Sequence, residues 1–167
     1  MASQEIPKSE EYIRLGEQVV VTALALDTLL IITGYEYKPL TYFLIAGLAI
    51  VYFLSAFQPP KFIPSENEPF GFSELFAWTI LPKVLWIGTS VVVFGILLFY
   101  MNLGNSGYQK LLTIGCSTLL ISLFLLTVLA IKGVKQLKVL LPTVYRTLLY
   151  LFGGIFILYY FSDNKLF

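Results

Sequence analysis

Histidine is absent from this chain of 167 residues, and cysteine occurs once, at Cys116. Without an imidazole there is no His-ligated haem, no His-based zinc site, and no Ser–His or Cys–His nucleophilic pair. One cysteine cannot form an internal disulfide. Lying inside an apolar stretch, Cys116 reads as a small packing residue. Aspartate is almost as scarce: Asp27 and Asp163 stand on different stretches, which argues against an aspartyl dyad. No glycine-rich phosphate loop opens a soluble helix, and no lipidation motif or Asn-x-Ser/Thr acceptor is found. The first apolar run is not followed by a small-residue cleavage site, so no cleavable signal is expected. Charged residues make up 13% of the chain, and a net charge of +1 gives no reason to expect nucleic acid. These absences argue against an enzyme, a metal or a cofactor.

What remains is apolar. The chain is 57% hydrophobic and 16% aromatic, with mean hydropathy +0.81. Five stretches carry it: Leu15–Thr33, Leu40–Phe57, Ala77–Met101, Leu111–Ile131 and Val139–Phe161. At 1.5 Å per residue, each is about long enough to cross a hydrocarbon core roughly 30 Å thick. The expected fold is an all-α polytopic bundle of five spans with short loops. A polar segment, residues 1–14, precedes one transmembrane domain, residues 15–167.

Lys and Arg distribute unevenly between the two sides of such a bundle. Lys8, Arg14, Lys61, Lys132, Lys135 and Lys138 share the side of the N-terminus, against Lys38, Lys110 and Lys165 on the other. The bias predicts an N-terminus inside. Tyr35, Tyr37, Tyr42, Tyr100, Tyr108, Tyr159 and Tyr160 all fall at the other end, as amphipathic rings at headgroup level should. Gly34–Pro39 and Asn102–Gln109 read as tight hairpin links, and Gln58–Ser73, with four prolines, as a stiff exposed loop. Ser73 is a candidate helix cap, and Pro82 falls near the start of the third span. Internal repetition is faint: a shift of 68 residues superposes Leu44 on Leu112 and Gly47 on Gly115.

Ionisable groups inside a bilayer are costly and need partners. Glu17, Lys83 and Arg146 are all expected near the inner ends of their helices, where a Glu17–Arg146 or Glu17–Lys83 pair is the plain reading. The functional alternative makes them the mouth of a polar pathway. Asp27 lies ten residues beyond Glu17, about 15 Å along a helix, with no cation expected at its depth. Four fates are open for it. Thr, Ser or Tyr groups of neighbouring helices can bond it, a cation of another subunit can meet it, or it can bind a translocated proton, ion or substrate. In the fourth, the helix ends lie elsewhere and it faces the headgroups. Gly115, Thr118 and Ser122 share a face of the fourth span, and Gly153-Gly154 thins the fifth, as helix-packing devices.

The first hairpin contains Gly16-Glu17-Gln18-Val19-Val20-Val21 and Pro39-Leu40, and closes Leu54-Ser55-Ala56-Phe57-Gln58-Pro59-Pro60-Lys61. Over about a quarter of the chain it resembles the two-helix membrane hairpin of the L subunit of the gliding-motility and type IX secretion motor of Bacteroidota, which typically closes with Ser-Ala-Phe-acid-Pro-Pro on the cytoplasmic side. The resemblance implies a related hairpin, a bacterial inner membrane, and Pro59-Pro60-Lys61 inside. The family's second helix carries an acidic residue thought to serve ion-driven rotation; the matching Gly47-Leu48-Ala49 has none. A motor role therefore does not carry over. The expected function is interaction: an accessory or assembly subunit meeting the bilayer and other membrane subunits or itself. The alternative is a small oligomeric transporter or channel using Asp27, with Glu17, Lys83 and Arg146 at its inner access.

Overall fold

The computed structural model describes residues 8–59, 71–103, 105–134 and 137–162. Within them every regular element is helical. The order is α1 (Lys8–Ile32), α2 (Lys38–Ser55), α3 (Phe72–Tyr100), α4 (Asn105–Ile131) and α5 (Leu141–Ser162), the last entered through a 3-10 turn at Leu137–Leu140. All five are long and apolar enough to span a membrane. The chain is a multi-pass membrane protein.

The helices run beyond the apolar stretches at several ends. α1 starts in the polar segment, at Lys8, and α4 starts at Asn105 rather than at Leu111. Glu, Arg, Lys and Gln are good helix formers, so a helix does not stop where its hydrophobic run stops. α1, α3 and α4 end alike, with Gly34, Asn102 and Gly133 in the left-handed region. The next amide then reaches back five residues, as Tyr35 N–H does to the Leu30 carbonyl at 2.9 Å.

Two details at the start of α3 differ from expectation. Gly71, not Ser73, occupies the cap position: its N–H donates to Glu74 Oε2 at 3.2 Å, and Ser73 lies inside the first turn. A glutamate three residues past the cap reaches back to that amide, which Ser73 is misplaced to do. Pro82 follows a π turn at Phe76–Ile80, where the Leu81 N–H bonds the Phe76 carbonyl five residues back. The wider turn absorbs a proline that has no amide to donate.

α3 is the hub, packed against α2, α4 and α5, and α1 leans on α2. Half of the α3 span is buried, against 6% of the α1 span. The α3–α4 contact is a reciprocal fit of small against large. A Cβ on Gly95 would stand 2.8 Å from Leu112, one on Gly115 2.7 Å from Val92, and one on Gly88 2.8 Å from Leu119. Large and small residues alternate on both helices, which fixes the antiparallel register. The first hairpin is looser, with Gly47 only in ordinary contact with Val20 at 3.8 Å. The faint repeat in sequence therefore does not extend to equal packing.

Around this core the outer faces are apolar, with Leu29, Ile32, Phe43, Phe124, Leu149 and Phe156 exposed, as a bilayer solvent requires. The seven tyrosines do gather at one end of the bundle. Tyr35, Tyr37, Tyr159 and Tyr160 are exposed there, while Tyr108 turns inward and meets Phe99 edge-on at 5.2 Å.

Candidate functional site

Antiparallel threading brings the starts of α1, α3 and α5 and the ends of α2 and α4 to one end of the bundle. Near that end, Arg146 Nη1 of α5 donates to both Oε1 and Oε2 of Glu17 on α1, at 2.7 Å each. Glu17 keeps 13% side-chain exposure and Arg146 keeps 49%. One turn further along α5, the Tyr150 hydroxyl meets that of Tyr52 on α2 at 2.9 Å. The Tyr52 ring stacks on Trp86 of α3 at 5.3 Å and meets Tyr150 edge-on at 5.3 Å. Arg146 and Tyr150 share a helix face by their four-residue spacing. Ser90 of α3 adds a bond to the Ala49 carbonyl of α2 at 2.8 Å. This seam ties four helices together with polar groups.

Asp27 belongs to a separate place. It is 3% exposed, and Thr41 Oγ1 on α2 donates to its Oδ2 at 2.6 Å. One of its four open fates, a hydroxyl bond from a neighbouring helix, is thus met within the chain. The bond closes the first hairpin near its turn. Just beyond, the Tyr100 hydroxyl donates to Glu36 Oε1 at 3.1 Å.

Lys83 does not meet Glu17. It is exposed and lines a cleft of about 40 Å³ between the end of α2 and the starts of α3 and α5. Its polar walls are Ser55, Gln58, Thr79, Lys83 and Thr143, with Trp78 and Trp86 beside them. The four ionisable residues picked from sequence thus form one pair, one clip and one cleft, rather than a single site. A second hollow, of about 320 Å³ and almost wholly apolar, lies on the bilayer side of α2 and α3 around Ala49, Phe53, Ser90 and Phe94.

Among the packing residues, Gly115 sits against Val92, and a Thr118 methyl lies 3.4 Å from where a Gly88 Cβ would be. Ser122 is buried and donates to the Thr118 carbonyl at 2.8 Å. Gly154 lets Cys116 approach, its Cβ position being 2.8 Å from Sγ, whereas a Cβ on Gly153 would meet nothing within 4 Å. The close approach in α5 belongs to Gly154 alone.

Sequence reasoning missed Thr41, Tyr52, Trp86 and Tyr150. Tyr52, Trp86 and Tyr150 had a signal. They stand inside their stretches, away from the belt, where a buried hydroxyl or indole needs a partner. Thr41 carried none, being one threonine among many. Among the described residues no three His, Cys, Asp or Glu side chains converge on a point that could hold a metal.

Fold and site together define a polytopic helical membrane protein whose helices are tied at separate places by a few polar contacts. Compared with known proteins, it matches no family model, no curated sequence and no solved structure.

Proposed function

We propose that this chain works by interaction, as an accessory or assembly subunit of a larger complex in a bacterial inner membrane, with its N-terminus on the cytoplasmic side. The observation that carries the reading is the use of the intramembrane carboxylates. Asp27 is held by Thr41 and Glu17 by Arg146, both within the chain. A transporter should bring its polar residues to a common cavity, whereas here they lie at separate places, tying one helix to another. The resemblance of the first hairpin to a motor-complex subunit supports the same reading, as does the lysine bias toward the N-terminal side.

The test is purification of the tagged full chain from its native host in a mild detergent, with native mass and protein identification of what comes with it. A reproducible heteromer of defined stoichiometry is the expected product. A homogeneous homo-oligomer or monomer, or ion flux in reconstituted vesicles that Asp27→Asn abolishes at unchanged abundance, would overturn the proposal.

A further inference from the structure

In a bilayer, serine and threonine hydroxyls usually return to a backbone carbonyl one turn back, as Thr28, Ser55, Thr89, Thr113, Ser122 and Thr127 do here. Thr79 and Thr143 do not. Neither hydroxyl bonds any described residue, although Thr143 is only 8% exposed. Both line the cleft at the start of α3 and α5, and so do Gln58 and Lys83, which make no hydrogen bond or ion pair with a described residue either. Two hydroxyls, an amide and an ammonium therefore border one small hollow with their donors unengaged.

Among the described residues no carboxylate lines that hollow, and the one charge there is the cation Lys83. Donor-rich walls around a single cation select an oxyanion over a metal or an ammonium. The size agrees. One water needs about 10–15 Å³ of such space, so 40 Å³ takes a few waters or one tetrahedral group. So does the position, among helix ends, which for spans of this length falls near the edge of the hydrocarbon core. The weak net charge of the whole chain hides this local arrangement.

We propose that this cleft is a binding site for a phosphate oxyanion, filled in the membrane by the headgroup of an anionic phospholipid. Lys83 supplies the charge, Thr79 and Thr143 supply hydroxyl donors from two helices, and Gln58 closes the rim from the turn after α2. A lipid held there bridges the end of α2 and the starts of α3 and α5. The proposal is independent of whether the chain assembles with partners.

Both tryptophans of the chain line the cleft, so their emission reports on it directly. The full chain is purified in a maltoside detergent, which carries no phosphate. It is titrated with short-chain phosphatidylglycerol, with diacylglycerol of the same chains, and with sodium phosphate. A saturable emission change with phosphatidylglycerol and none with diacylglycerol is expected. Thr79→Val/Thr143→Val, which keeps shape and every charge, should weaken it about tenfold, and Lys83→Gln by a similar factor. Equal thermal unfolding of wild type and variants excludes misfolding as the cause. A response to phosphatidylglycerol but not sodium phosphate identifies the lipid as the ligand. A matching response to both keeps the oxyanion site and makes soluble phosphate its ligand. No response to either, or one unchanged in the variants, overturns the site.

Discussion

Thr41 gives Asp27 its hydrogen bond, and the two side chains answer differently to substitution. Thr41→Val leaves a buried carboxyl without its donor, a loss of about 1–3 kcal/mol. Asp27→Asn keeps an acceptor oxygen in place and should cost less than about 1 kcal/mol. Reversible unfolding of the two variants in detergent measures the order; a larger loss for Asp27→Asn would mean that the charge, not the bond, matters. Glu17 and Arg146 allow a sharper comparison. Arg146→Gln strands a carboxylate only 13% exposed. With Arg146 itself half exposed, solvent and headgroups screen the pair, and the single substitution should cost about 1–3 kcal/mol. The double variant Glu17→Gln/Arg146→Gln should recover part of that loss, since two amides can bond each other. Strict additivity in the cycle would show that the pair is not coupled.

Helix pairs in this bundle are held by shape as much as by polar groups. Burying apolar side chains against one another gains little when lipid is the alternative, so close approach and interlocking decide which helices pair. The α3–α4 interface interlocks through Gly88, Gly95 and Gly115. Gly115→Ala would place a methyl 2.7 Å from the Val92 side chain and 3.0 Å from its backbone nitrogen, which cannot move aside cheaply. Overpacking of this kind costs about 1–3 kcal/mol. Gly153→Ala should be neutral or stabilising by up to about 1 kcal/mol, because alanine is the better helix former and nothing stands in its way. Thermal unfolding of the two variants side by side is the check, and equal losses would contradict the register described here. α1 is the element held least firmly, with contacts mainly to α2 and the Glu17–Arg146 pair reaching across to α5.

Considered as a molecule, the protein is a hub helix, three neighbours, and a fifth helix leaning on one of them. The sidedness proposed from charge can be measured, because the chain has a single cysteine, which is buried. In a Cys116→Ala background, Lys132→Cys should react only with a membrane-permeant thiol reagent in intact cells, and Lys38→Cys with an impermeant one as well. The reverse pattern would place the N-terminus outside.

Span number, all-helical class and the end at which the tyrosines gather were legible in the sequence, because each rests on a property summed over many residues: apolar length, helix propensity and interfacial aromatics. Individual partners were not. Glu17 had two cations within plausible reach, and the rotation of α1 and α5 about their axes chose Arg146. Asp27 had several kinds of partner open, and the tilt of one hairpin chose Thr41. Gly153 and Gly154 are indistinguishable along the chain, yet 100° of helix turn sets one against Cys116 and leaves the other in open space. Hydrophobicity along the chain determines how many helices there are and how long they run. Which faces meet depends on rotations and crossings that only the packed bundle sets, and the polar ties and the donor-lined cleft exist only once those faces have met.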